Sequence, residues 1–173
     1  MSQINLQEQP KMKKLWRIRK FKNCASCGEF GTCKHNLPYK VSEFEQNVLL
    51  NEGINELWTI VASASSGTKF DNSNAYLGVG DDDTAAAASQ TGLQAATNKL
   101  YKAMDGGFPT FGTSQKATWR ATFGGSDANF AWKEFTVANG NSDSAKNLNR
   151  KVEDEGTKTS GQTWELTLEI TLS

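Results

Sequence analysis

The last eleven residues, TWELTLEITLS, alternate without a break: Trp164, Leu166, Leu168, Ile170 and Leu172 fall on one phase, and Thr163, Glu165, Thr167, Glu169 and Thr171 on the other. Successive side chains of a strand point to opposite faces, so the pattern specifies a β-strand with one face in a core and the other in water. A strand of this kind needs neighbours in its sheet and a second layer over its apolar face, which makes the chain mainly β.

The same period of two recurs elsewhere. In LWRIRKF, Trp16 and Ile18 alternate with Leu15, Arg17, Arg19 and Phe21, which predicts a strand with Trp16 and Ile18 inward. PYKVSEF, from Pro38, is the antiparallel mate that would close a β-hairpin. KATWRATF and NFAWKEFTV repeat the alternation, the second with Phe130, Trp132 and Glu134 on one phase, and GGSDA between them predicts a hairpin turn. AYLGVG is a short strand and LNRKVED a weaker one. In NVLLNEGINELWTIVAS the spacing of Leu50, Ile54, Leu57, Trp58 and Val61 is that of one apolar stripe on an amphipathic helix, capped by Asn51 and ending near SASSG. The predicted fold is an antiparallel β-sandwich or jelly-roll-like domain with one amphipathic helix. Residues 1–10 are expected as a flexible tail, 11–50 as a basic strand and hairpin, and 51–173 as the sandwich body, with 11–173 one folded unit. No run approaches the roughly 20 apolar residues of a membrane-spanning helix, and MSQINLQEQP lacks the apolar stretch of a signal peptide, so a cytoplasmic origin is expected.

Residues 24–35, CASCGEFGTCKH, hold all three cysteines and the only histidine. The order Cys24-x2-Cys27-x5-Cys33-x-His35 supplies three thiolates and one imidazole, enough to close a tetrahedral shell around Zn²⁺, with Gly28 and Gly31 freeing the backbone to bring the second pair round. Four protein ligands leave no open position for water, so the expected role is structural: a zinc-clamped tip on the N-terminal β-hairpin, where metal binding replaces burial as the source of local stability. A disulfide would strand one thiol and is rare in the cytosol; chance clustering is the other alternative.

The formal net charge is zero, but its distribution is not even. Through Lys40 there are nine Lys or Arg against only Glu8 and Glu29, and the rest of the chain is acidic to the same extent. Lys11, Lys13, Lys14, Arg17, Arg19, Lys20 and Lys22 therefore form a candidate surface for an anionic partner, nucleic acid or an acidic protein face; the plainer alternative is the solvated face of a strand. Asp81-Asp82-Asp83 lacks the alternating ligands and final Glu of an EF-hand, so a solvated acidic loop is expected rather than a Ca²⁺ site. With His35 assigned to zinc, no histidine is left for acid–base work, and no nucleophile-elbow, P-loop or zinc-protease motif is present. Glu134 is the one carboxylate on an apolar phase, and a buried pair with Arg120 or Arg150 explains it without catalysis. Trp119, Phe123, Phe130 and Trp132 could stack bases, but their inward phase reads as core.

The stretch LLNEGINELWTIVASASSGTKFDNSNAYLGVGDDDTAAAASQTGL, with NKLYKAMDGGFPTF, WRATFGGSDANFAWKEFTVANG, LNRKV and TWELTLEITLS, resembles small virion structural proteins of tailed bacteriophages. The resemblance covers roughly residues 38 to 173 and rests on the combination of LLNEG, a GVGD turn, an NFxWxE strand and the closing TLS. It implies a protein without catalytic activity, found in the virion and assembled in the bacterial host cytoplasm. Such a protein is a head decoration or cement component, or else a tail-fibre or baseplate part. Its implied partners are the major capsid protein or other virion proteins, met as a homo-oligomer or in many copies. The Cys/His hairpin departs from the family pattern, where a plain loop stands in that place. A zinc-containing nucleic-acid-binding module is the alternative of a different class, tested by salt-sensitive retention on nucleic acid.

Overall fold

The computed structural model describes residues 12–22, 37–63 and 66–173. Its elements in chain order are β1 (Met12–Lys22), β2 (Lys40–Glu45), β3 (Val48–Leu49), α1 (Asn51–Ala62), β4 (Tyr76–Gly80), β5 (Lys99–Ala103), β6 (Thr110–Thr113), β7 (Lys116–Phe123), β8 (Glu134–Ala138), β9 (Asn149–Val152) and β10 (Gln162–Leu172). Two antiparallel five-stranded sheets result, in the order β2-β1-β10-β7-β6 and β3-β9-β8-β4-β5, so the chain is mainly β and its layers form a sandwich.

The two strongest alternations in the sequence find each other. β1 and β10 pair along their whole lengths, from Met12 opposite Leu172 to Lys22 opposite Gln162, and together they form the centre of the first sheet. Trp16, Ile18, Leu166 and Leu168 all point inward and are fully buried there, joined from β7 by Trp119, Ala121 and Phe123. From the second sheet Leu77, Val79, Phe135 and Val137 close the core. Its centre is aromatic: the Trp132 ring packs edge-on against Phe123 at 4.7 Å and against Trp164 at 4.8 Å. Such edge-to-face pairs add to the stabilisation that area burial alone supplies. The four aromatics considered as a stacking platform are therefore interior: Trp119, Phe123 and Trp132 are buried, and Phe130 packs partly buried against them.

β1 and β2 are antiparallel neighbours with Lys20 opposite Lys40, as the hairpin reading expects. β1 and β2 belong to the first sheet and β3 to the second, so all three strands share their sheets with strands from the rest of the described chain. The GGSDA turn, in contrast, does not make a hairpin. β7 already has β10 on one side and β6 on the other, and β8 sits in the opposite sheet between β9 and β4. The turn itself forms, with Asp127 N–H donating to the Gly124 carbonyl at 3.1 Å, but the chain then crosses between layers. Ala128 takes a positive φ of 49° on that crossing, and residues 130–133 bridge to the strand-like segment near Thr157 instead of to β7. This shifts the phase: Phe135 and Val137 face the core, and Glu134 faces the opposite side of its sheet.

Candidate functional site

The basic residues of β1 meet an anionic partner inside the molecule. On the outer face of the first sheet the register sets Arg19 against Glu165 and Arg17 against Glu43. Their ion pairs measure 3.1 and 2.6 Å, and Lys116 with Glu169 (3.2 Å) and Arg120 with Asp105 (3.0 Å) continue the alternation of sign across the sheet. Lys20 lies on the inward phase of β1, buried, with its ammonium 2.7 Å from Glu155 and 4.2 Å over the Trp164 ring. Burial pushes its pKa below the ordinary lysine value, and the Glu155 carboxylate works against that shift. Lys14 donates to the Asn47 carbonyl at 3.0 Å, and burial lowers its pKa as well. Lys13 and Lys22 are exposed, the latter 5.8 Å over the Tyr39 ring. β1 is thus an interior strand of its sheet, not a free strap, and the cations of Arg17, Arg19 and Lys20 are engaged within the fold. Lys11 and the proposed zinc ligands Cys24, Cys27, Cys33 and His35 lie outside the described residues.

The acidic loop is knitted to the second sheet. Asp81 accepts from the Asn98 amide at 2.7 Å, Asp82 from Arg150 at 3.0 Å, and Asp83 from Lys133 at 2.9 Å, a contact that holds the Asp83 carboxyl below its ordinary pKa. Each carboxylate has its own donor within the fold, so the loop is more ordered than the solvated loop expected from the sequence. Beneath the loop Glu134 and Arg150 form a fully buried pair at 2.7 Å, the partner choice the sequence allowed. Glu134 also accepts from the amides of Gln94 and Ala95, at 2.9 and 2.8 Å, while Arg150 donates to the Thr84 carbonyl at 2.7 Å. The pair straps residues 81–98 across the back of β8. Among the described residues no group of three or more His, Cys, Asp or Glu is placed to hold a metal ion, and no helix is long and apolar enough to cross a membrane.

The helix reverses the expected orientation. Its body-facing side is Gly53, Glu56 and Ile60; Gly53 is the only residue of α1 that is fully buried, and a Cβ there would stand 2.3 Å from the Leu148 Cα. Glu52 and Glu56 point toward the body as acceptors, Glu52 for the Asn147 amide at 2.9 Å and Glu56 for the Thr68 amide at 2.5 Å. Three of the five stripe residues are turned away, with Trp58 64% exposed, Val61 73% and Leu57 37%, while Ile54 is half-buried and Leu50 buried. Asn51 is the first helical residue; Leu50, buried and extended, holds the capping position with no side-chain hydrogen bond.

Leu57 is also one wall of an apolar groove of about 480 Å³. The groove exists because the first sheet outruns the second. Along its inner face the exposure rises from zero at Trp16 and Leu168 to 37% at Met12 and 52% at Leu172. Phe70, Trp119 and Leu148 line the interior of the groove. Phe111, on edge strand β6 beside groove-lining Gly112, is 74% exposed. Sequence reasoning missed this site, because it marked Leu57, Trp58 and Val61 as an apolar stripe without the tertiary placement that leaves them outside.

Comparison with protein families, curated proteins and solved structures finds no match to this chain.

Proposed function

We propose that this chain is a non-enzymatic structural protein of a tailed-phage particle, a capsid-attached decoration or cement protein that works by docking as a rigid block. The observation that carries the docking reading is the outward apolar flank of α1, continuous through Leu57 with the open groove. Large exposed apolar patches mark protein contact surfaces, since leaving them wet costs free energy that a partner's surface recovers. The assignment to a phage particle is supported by the sequence resemblance over residues 38 to 173. The two-layer order, β2-β1-β10-β7-β6 and β3-β9-β8-β4-β5, supports the rigid antiparallel sandwich that such a docking block needs. A tail-fibre or baseplate location is the second placement of the same docking chemistry. The exposed Lys13 and Lys22, with Lys11, remain the cations of the N-terminal region offered to an acidic virion neighbour.

Zinc belongs to this proposal as a local clamp. The β1–β2 ladder holds the two ends of the cysteine segment together, with Tyr39 N–H donating to the Lys20 carbonyl at 2.8 Å. Much of the entropy of closing that loop is already met by the ladder, which favours a compact four-ligand site built from Cys24, Cys27, Cys33 and His35.

Two measurements test the reading. Mass spectrometry and reconstruction of purified particles should find the chain as a stoichiometric component on the head; its presence only at the tail tip selects the second placement, and its absence from particles rejects both. Native mass spectrometry of the isolated chain should show one zinc, lost on Cys24→Ser together with a lower melting temperature. A metal-free chain of unchanged melting rejects the clamp.

A further inference from the structure

We propose that the groove and the flank of α1 form an isologous two-fold interface, and that its occupant is a second copy of this chain. The inference deepens the docking reading above and rests on it for the function of the contact, but the surface is argued from geometry.

Six of the nine large apolar side chains that are exposed among the described residues belong to the groove or to the elements that line it: Met12, Leu57 and Leu172 in its wall, Phe111 beside groove-lining Gly112, and Trp58 and Val61 on α1 with Leu57. Together they expose on the order of 600 Å² of apolar surface, as large as the biggest patch on a typical monomer and near the ~800 Å² per partner of a standard interface. A two-fold contact requires one patch to carry both the protruding and the receiving part. This patch does. Phe111 and Trp58 are its most exposed aromatic side chains, each next in sequence to a groove-lining residue, Gly112 and Leu57, and the groove offers about 480 Å³ lined almost wholly by apolar atoms. A volume of that size houses whole organic ring systems, so an aromatic side chain of the mate enters it without rearrangement.

Charge and backbone geometry favour the same occupant. Among the described residues the groove offers no unpaired charge to recruit an ionic partner; the one ionised lining group there, Lys116, is paired with Glu169 at 3.2 Å. The chain carries zero net charge, so its copies meet without long-range repulsion. Edge pairing of β6 with another β6 is not the mode, because the register slips between Thr110 and Thr113 and Gly112 has φ of 87°, and a bulged edge is a poor template for a further strand. The contact is therefore made by side chains, with Phe111 of each copy entering the groove of the other and Trp58 closing over the joint.

Sedimentation equilibrium of the full chain between about 1 and 100 µM should show a dimer with a dissociation constant in the micromolar range or tighter. Phe111→Asp and Trp58→Asp, made separately, should each weaken that constant about 30-fold or more, as truncation of aromatic anchors does, with far-UV circular dichroism unchanged, and the urea midpoint unchanged when read below the dimer's dissociation constant, because both side chains are exposed. Phe111→Leu should retain most of the affinity. The proposal is overturned by a chain that stays monomeric through that range, as it would if its own residues 1–11 or a different protein filled the groove. A stoichiometry other than two, or a dimer that both aspartate variants leave intact, overturns it equally. A dimer of a chain missing from particles would reject the virion reading and leave this interface standing.

Discussion

Glu134 and Arg150 show how a single pair organises a long loop. Both are wholly buried, and the carboxylate accepts two backbone amides besides the guanidinium, while the guanidinium reaches the Thr84 carbonyl and Asp82. Taking two charges out of water is costly, and mutual attraction offsets that cost only when both partners are present. Glu134→Ala is therefore expected to lose about 3–5 kcal/mol of unfolding free energy, since it leaves a buried guanidinium and two amides without their acceptor. Arg150→Met should lose a comparable amount, and the double variant much less than the sum, read as a coupling of about 2 kcal/mol or more in a urea-denaturation cycle. Hydrogen exchange should speed up across residues 81–98 in each single variant; unchanged protection there would mean that the loop is held by other contacts. Gly80 belongs to the same arrangement, because a Cβ on it would stand 2.3 Å from the Glu134 carboxylate.

At the scale of elements, α1 docks through an absence. Gly53 brings the helix backbone onto Leu148, and Gly53→Ala has no flexible atom to push aside, since the nearest obstacles are the Leu148 Cα and the Asn147 carbonyl, at 2.3 and 2.5 Å. The substitution should raise intrinsic helix propensity, yet lower stability by about 1–3 kcal/mol through overpacking; a neutral or stabilising result in thermal unfolding would show that the helix is free to shift. This docking also explains what the sequence could and could not disclose. β1, β7 and β10 were legible because one of their faces is apolar and the other polar. The polar side chains are taken up in cross-strand ion pairs such as Arg19 with Glu165 and Lys116 with Glu169, so alternation survives in the sequence even where Glu165 and Thr167 are buried. The β8 strand was misjudged in phase, since Glu134 and Thr136 lie buried under a loop and its polarity no longer reports which face is core. Val48–Leu49 and Thr110–Thr113 are too short to carry a period and were not anticipated as strands. The helix stripe was found, but its direction was not, because Glu52 and Glu56 turn inward to serve loop amides that only the folded chain supplies. The groove could not be read at all: it arises where one sheet is longer than its cover, a relation among residues far apart in sequence.

For the whole molecule, much of the uneven charge among the described residues resolves into ion pairs within the fold. The basic first strand lies between the last strand and β2, both of which supply carboxylates, so Arg17 and Arg19 spend their charge on Glu43 and Glu165. Nucleic-acid affinity depends on cations free to displace condensed counterions, with several phosphate contacts needed for tight binding. The purified chain should accordingly pass unretained through a DNA or RNA column at about 0.15 M salt, a condition under which proteins making many phosphate contacts still bind; retention that falls steeply with added salt would revive the nucleic-acid-binding alternative. The pairing that neutralises the charge has a mechanical side too. Met12 opens β1 directly opposite Leu172, which closes β10, so both ends of the described body leave from the same edge of the central ladder. A pull separating those ends peels the antiparallel rungs one after another, as a zipper opens, whereas a load pressed on the broad faces is shared by the entire layer. A block built this way withstands crushing far better than tugging.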